Sequence, residues 1–174
     1  MKTNKIGEVV NLMRMKIPAI LIITALIFMS CKEKHENKNF IPVPAFEIKV
    51  DLDKKAEREM RERSETIHIS LWLSGIPRKD SGIKRDEINK AIGLVLGYFE
   101  KELNKEGVVR FEGLKIPERL YNALEDKNYL VSVDVGSGWK SSKFNLLDCE
   151  TFEKAISEVA GKKHTIKCKL IRDK

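Results

Sequence analysis

The sequence predicts a mainly β chain: a sandwich of short strands with one or two short helices, tethered at its N-terminus. Three observations carry that prediction. Four stretches alternate apolar and polar side chains with a period of two. Clusters of Gly, Pro, Asn and Asp separate them. The stretches with helical spacing are short.

At 46–52, Phe46, Ile48, Val50 and Leu52 share one face with polar residues between, the pattern of a half-buried strand. Residues 53–65 follow, dense in charge with only Ala56 and Met60 apolar. They read as a solvated connection, with at most one or two helical turns held by Glu–Arg pairs. Ile67, Ile69, Leu71 and Leu73 make a second strand, with His68, Ser70, Trp72 and Ser74 opposite and Gly75 and Pro77 ending it. Residues 86–103 fit two periods. Ile88, Ile92, Val95, Leu96, Phe99 and Leu103 make a helical stripe, interrupted by Gly93 and Gly97. Ile92, Leu94, Leu96 and Tyr98 make a strand. The turn signal at 104–107, with a short strand at 108–111 after it, points to a hairpin.

Pro117 suits a first helical position, and Leu120, Tyr121 and Leu124 give one short apolar face. Tyr129, Val131, Val133 and Val135 form the clearest strand, which Gly136-Ser137-Gly138 breaks into a loop. Residues 151–159 read as a short helix with Phe152, Ala155, Ile156 and Val159 inward, stopped by Gly161. Ile166, Cys168 and Leu170 make the last strand, and no internal repeat is visible. The run GVVRFEGL at 107–114 and YLVSVDV at 129–135 together resemble transthyretin-like (prealbumin-like) sandwiches, close in architecture to immunoglobulin-like ones. That resemblance implies a binding scaffold without specific chemistry.

The first 30 residues have a different character. Arg14 and Lys16 precede an eleven-residue apolar run at 19–29, and Phe28-Met29-Ser30-Cys31 ends it. Spanning a bilayer takes about 20 apolar residues, so the run suits the core of a secretory signal instead. A basic start, a short apolar core, a small residue and then Cys resemble the signal of bacterial lipoproteins. The resemblance implies cleavage before Cys31, a diacylglycerol thioether on Cys31 and further acylation by a fatty acid such as palmitate. Lys32 after the Cys implies the outer membrane, with the domain facing the periplasm or the cell surface. Met13 or Met15 would start a signal of more typical length. The expected organisation is a signal at 1–30, lipidated Cys31 with a flexible tether to residue 45, and a folded domain at 46–174.

Lipid on Cys31 leaves Cys149 and Cys168. An exported compartment is oxidising, so the even remainder is expected to form a disulfide; the alternative is two buried thiols.

The formal net charge of +7 invites a nucleic-acid reading. Its distribution argues otherwise. Four bases and one acid sit in the signal, and six bases with one acid lie at 162–174. The stretch between them is nearly neutral, and an exported protein does not meet nucleic acid. Lysines in the last strand suit either an edge that blocks unwanted pairing or contact with an acidic partner or anionic headgroups.

Candidate chemistry is sparse. Ser137-Gly138-Trp139-Lys140 and Ser81-Gly82-Ile83-Lys84 have S-x-x-K spacing, but both lie in loops and lack the partner motifs of penicillin-binding enzymes. Residues 136–142 lack the second Gly of a phosphate loop. His35, His68 and His164 form no ligand pattern, Asp51 and Asp53 have no calcium-loop continuation, and no cofactor or metal is expected. Trp139, Lys140, Ser141 and Ser142 sit in a Gly/Ser loop and read as a partner-binding segment, because Trp is favoured at interface centres. The rival reading folds Trp139 over the sandwich edge as packing. The expected function is that of a lipid-anchored, non-catalytic binding module of the cell envelope with a protein partner. Alternatives are an immunity or inhibitor protein against a toxin or hydrolase, a secretion-apparatus lipoprotein, and a cell-wall or lipid hydrolase.

Overall fold

The computed structural model describes residues 39–171. The apolar run, Cys31 and residues 32–38 lie outside them. Two sheets face each other across one apolar core, as expected for a β-sandwich. A five-stranded antiparallel sheet runs in the order β10 (Phe152–Ala155), β8 (Leu130–Ser137), β3 (Ile67–Gly75), β5 (Gly93–Leu103), β4 (Ile88–Asn89). A four-stranded sheet runs β6 (Gly107–Phe111), β2 (Phe46–Leu52), β11 (Lys163–Leu170), β9 (Leu147–Cys149). The alternating apolar residues form the core: Phe46, Ile48, Val50 and Ile166 from one sheet meet Ile67, Ile69, Leu71, Val131 and Val133 from the other. A small ribbon pairs β1 (Phe40–Pro42) with β7 (Lys115–Pro117) and buries Ile116. No helix among the described residues is long and apolar enough to cross a membrane.

Five expectations need correction. Phe40–Pro42 is a paired strand and Val43 is buried, so ordered structure begins before Phe46. Residues 54–62 form a true helix, α1 (Lys54–Glu62), rather than a solvated connection. Asp53 caps it by accepting from the Ala56 amide at 2.7 Å, and the i,i+4 pair Ala56 and Met60 is its buried stripe. The turn at 104–107 does not make a hairpin: β5 belongs to the five-stranded sheet and β6 pairs with β2 in the other. Residues 152–155 form edge strand β10, leaving only one helical turn, α3 (Ile156–Val159), after the helix α2 (Glu118–Ala123). The last strand is no edge. β11 runs parallel to β2 and antiparallel to β9. Its lysines face acids on neighbouring strands: Lys163 lies 3.4 Å from Glu47 and Lys169 3.3 Å from Asp148.

Cys149 and Cys168 stand directly opposite in the β9–β11 pair and form a disulfide. It ties the three-residue strand β9 to the sheet interior. In the chain-entropy picture a loop of this length stabilises by roughly 3 kcal/mol. Changing both cysteines to serine is therefore expected to lower the unfolding free energy in urea by about that amount. An unchanged midpoint in the double variant would overturn it.

Candidate functional site

The loop at 138–146 is built from both ends. At its base, the Asn145 side chain accepts from the Ser137 and Leu147 amides at 2.8 and 3.1 Å, and the Ser137 hydroxyl accepts from the Leu146 amide at 3.0 Å. Ser137 is wholly buried in this role. The hydroxyl of the S-x-x-K spacing therefore closes the loop. In the other S-x-x-K stretch, Ser81 accepts from the Ile83 amide.

The loop's outer part rests on Glu65. Helix α1 ends in a Schellman motif: Ser64 adopts φ 51°, its amide bonds the Arg61 carbonyl, and the Glu65 amide bonds the Met60 carbonyl. This turn delivers the Glu65 side chain inward, where the residue is only 3% exposed. Its carboxylate accepts from the amides of Lys140 (2.9 Å), Ser141 (2.6 Å) and Thr66 (3.1 Å) and from the Ser141 hydroxyl (2.6 Å). Burial alone would raise its pKa. The Ser141 hydroxyl and the three amides outweigh that and hold it at about 2.

Gly138 is required where the loop leaves β8. Its amide bonds the Thr66 carbonyl at 2.8 Å, and a Cβ there would lie 2.0 Å from Thr66 Oγ1. Trp139 follows at φ 58°, a left-handed conformation that costs a bulky residue of order 1–3 kcal/mol. The Glu65 bonds hold that conformation in place. Trp139 remains 52% exposed, with its ring tilted against His68 at 5.5 Å between centroids. Phe144, further round the loop, is exposed as well.

The predicted segment thus divides. Trp139 points outward. Lys140 reaches Glu102 at 3.0 Å. The amide and hydroxyl of Ser141 turn inward to Glu65, and Ser142 accepts from the Phe144 amide at 3.1 Å. Glu102 also accepts from the Thr66 hydroxyl at 2.5 Å, and the bonds from Thr66 and Lys140 hold its carboxyl below the usual range.

Beside the loop lies the outer face of the five-stranded sheet. Register places Tyr98, Trp72 and Ser132 in one cross-strand row, Glu100, Ser70 and Asp134 in the next, and Glu102, His68 and Gly136 in the third. The Trp72 and Tyr98 rings meet at 4.2 Å, tilted by 41°. The Tyr98 hydroxyl donates to Glu100, which also lies 3.3 Å from His68 Nε2. The bond to Glu100 pushes the Tyr98 hydroxyl above its usual range, and Asp134 adds to it. The Asp134 side chain makes no hydrogen bond or ion pair among the described residues. The expectations placed His68, Ser70 and Trp72 opposite the apolar face of their strand. They did not single out Glu65, Glu100 or Asp134.

Elsewhere, Asp51 pairs with Lys49 and Asp53 caps α1. Among the described residues no group of three or more His, Cys, Asp or Glu side chains is placed to hold a metal ion.

Glu65→Gln removes the charge and sets an amide against N–H donors. A loss of about 2–3 kcal/mol is expected, with faster acrylamide quenching of Trp139 in a Trp72→Phe background. The pH dependence has a defined sign. The folded pKa of about 2 lies below the ordinary 4.5, so this carboxylate's contribution is present above pH 4.5 and lost as pH falls towards 2. The parent should lose stability through that window and E65Q should lose less. Parallel acid-denaturation curves would overturn the assignment.

Comparison with protein-family models, curated proteins and solved structures finds no match to this chain.

Proposed function

We propose that the chain is a lipid-anchored protein of the bacterial envelope that acts as a non-catalytic binding module through loop 138–144. One observation supports the binding reading above the rest. A buried carboxylate makes four hydrogen bonds, three of them to Lys140 and Ser141, beside an exposed Trp139 in a strained conformation. Strain held in place at an exposed aromatic is a mark of recognition, because a preformed loop loses less entropy on binding. The same preformed loop suits an envelope inhibitor or immunity protein that caps a toxin or hydrolase one to one. The address rests on the lipoprotein-like signal ending at Cys31, and more than one acyl chain gives stable attachment.

Two measurements test this. Labelled palmitate should enter the parent and not Cys31→Ala, and equal label in both would remove the anchor. Crosslinking in intact cells should capture the same partner with the parent and with Phe144→Ser, and lose it with Trp139→Ala. Capture that survives Trp139→Ala would remove the loop from the interface.

A further inference from the structure

The outer face of the five-stranded sheet has an unbalanced charge. Four carboxylates, Glu100, Glu102, Asp134 and Glu153, meet one lysine; that lysine is engaged with Glu102, and Glu153 accepts from the Ser132 hydroxyl. Glu100 is bonded by Tyr98 and His68 but keeps half its side chain exposed. Asp134 is exposed and its side chain has no hydrogen-bond or ion-pair partner among the described residues. Both flank Ser70, one strand away on either side. Strands lie about 4.8 Å apart, so the two backbones stand roughly 10 Å apart across Ser70. The Tyr98 hydroxyl reaches over that serine, 3.3 Å from Ser70 Oγ and bonded to Glu100, so a cation between the two carboxylates meets the Tyr98 hydroxyl rather than a bare serine. The next row supplies the Trp72–Tyr98 ring pair.

Resting on the binding-module reading above, we propose that this face receives a basic polypeptide segment. An Arg or Lys side chain of that segment pairs with the exposed sides of Glu100 and Asp134, above the Tyr98 hydroxyl and against the Trp72–Tyr98 rings. The carboxylates supply charge-assisted hydrogen bonds and the rings supply cation–π attraction. Arg suits the place better than Lys, because its planar fork meets a carboxylate and an aromatic face together.

Other occupants fit less well. Phosphate, nucleic acid and anionic headgroups would be repelled by the same carboxylates. A pyranose ring stacks best on a flat aromatic platform, and the two rings here are tilted by 41°. Addition of a partner strand takes place at a sheet edge, such as β10 or β5 beyond Leu94, and not on the face that carries Ser70. Recognition on this face therefore runs through side chains.

The test uses the full chain in neutral detergent, titrated with acetylated hexa-arginine amide and followed by calorimetry and tryptophan fluorescence. Binding should weaken steeply with salt. Glu100→Gln with Asp134→Asn should weaken it by about tenfold or more, and Glu47→Gln on the opposite sheet should not. Asp134→Asn alone touches no hydrogen bond of the fold and should still weaken binding with an unchanged urea midpoint. Equal affinity in the double variant, no binding by the parent, or preference for hexa-glutamate or a neutral oligosaccharide would overturn the proposal. The cellular capture separates it from the reading it rests on. Capture lost with Trp139→Ala but kept by the Glu100/Asp134 variant would end the cationic-segment proposal and leave the binding module standing.

Discussion

Glu65 sits where α1 stops and β3 begins, with its carboxylate enclosed by the amides and hydroxyl of a loop 75 residues further along the chain. Taking a carboxylate out of water costs several kcal/mol unless its lone pairs are filled. Here they are filled by four donors, so the burial is tolerated only while the loop keeps its shape. The dependence runs both ways. Without the charge, Lys140 and Ser141 would direct their amides at nothing, and Trp139 would have no reason to stay left-handed. Even the glycine before it follows from this contact, since the loop must pass within hydrogen-bond distance of Thr66 before it can reach Glu65.

The far end of the loop is fastened by different means. Residues 145 and 146 lead straight into β9, which has only three residues and one neighbour. Such a strand would fray alone. The disulfide ties it to β11, and β11 is held in the middle of its sheet by the parallel pairing with β2. That pairing joins the first and last long strands of the domain. Loop closure over so long a stretch is slow to gain its reward. The anchorage of the loop's far end therefore depends on pairing between strands far apart in sequence. The basic residues of β11 take part in this too. Lys163 and Lys169 pair across strands, so two of the six bases at 162–174 meet an acid on a neighbouring strand.

The strands were legible because burial of one sheet face leaves a period of two in the sequence, and β2, β3, β8 and β11 all carry it. Their neighbours were not legible. Alternation says which residues face the core, but it does not say which strand lies alongside, so the turn at 104–107 looked like a hairpin when it is a crossing between sheets. Helix α1 was hidden for another reason. Two buried side chains one turn apart are enough where the rest of the helix lies in water, and a pattern that thin is lost among charges. Glu65 was hidden by the same crowding. A single acid in a charged run resembles a solvated one, and its donors are distant in sequence. Trp139 stood out because a large aromatic is unusual in a Gly/Ser loop. The inward bonds of Ser141 left no trace in the sequence, since a serine's hydroxyl can turn either way and only the buried carboxylate decides the direction.

Strand β3 ties the candidate binding face to the core. Ile67, Ile69, Leu71 and Leu73 point inward and are fully buried, while His68, Ser70 and Trp72 point outward between them. A slip of one residue would exchange the two sets, exposing four aliphatic side chains and burying a histidine and a tryptophan. Pairing with β5 on one side and β8 on the other forbids that slip, and the irregularity between Leu73 and Ser74 comes only after the outward row is complete. The spacing of Glu100, Ser70 and Asp134 is therefore as rigid as the hydrophobic core itself. A face built this way does not adapt its carboxylates to a partner. On the proposed reading, the face and the preformed loop beside it both select a partner that already fits them.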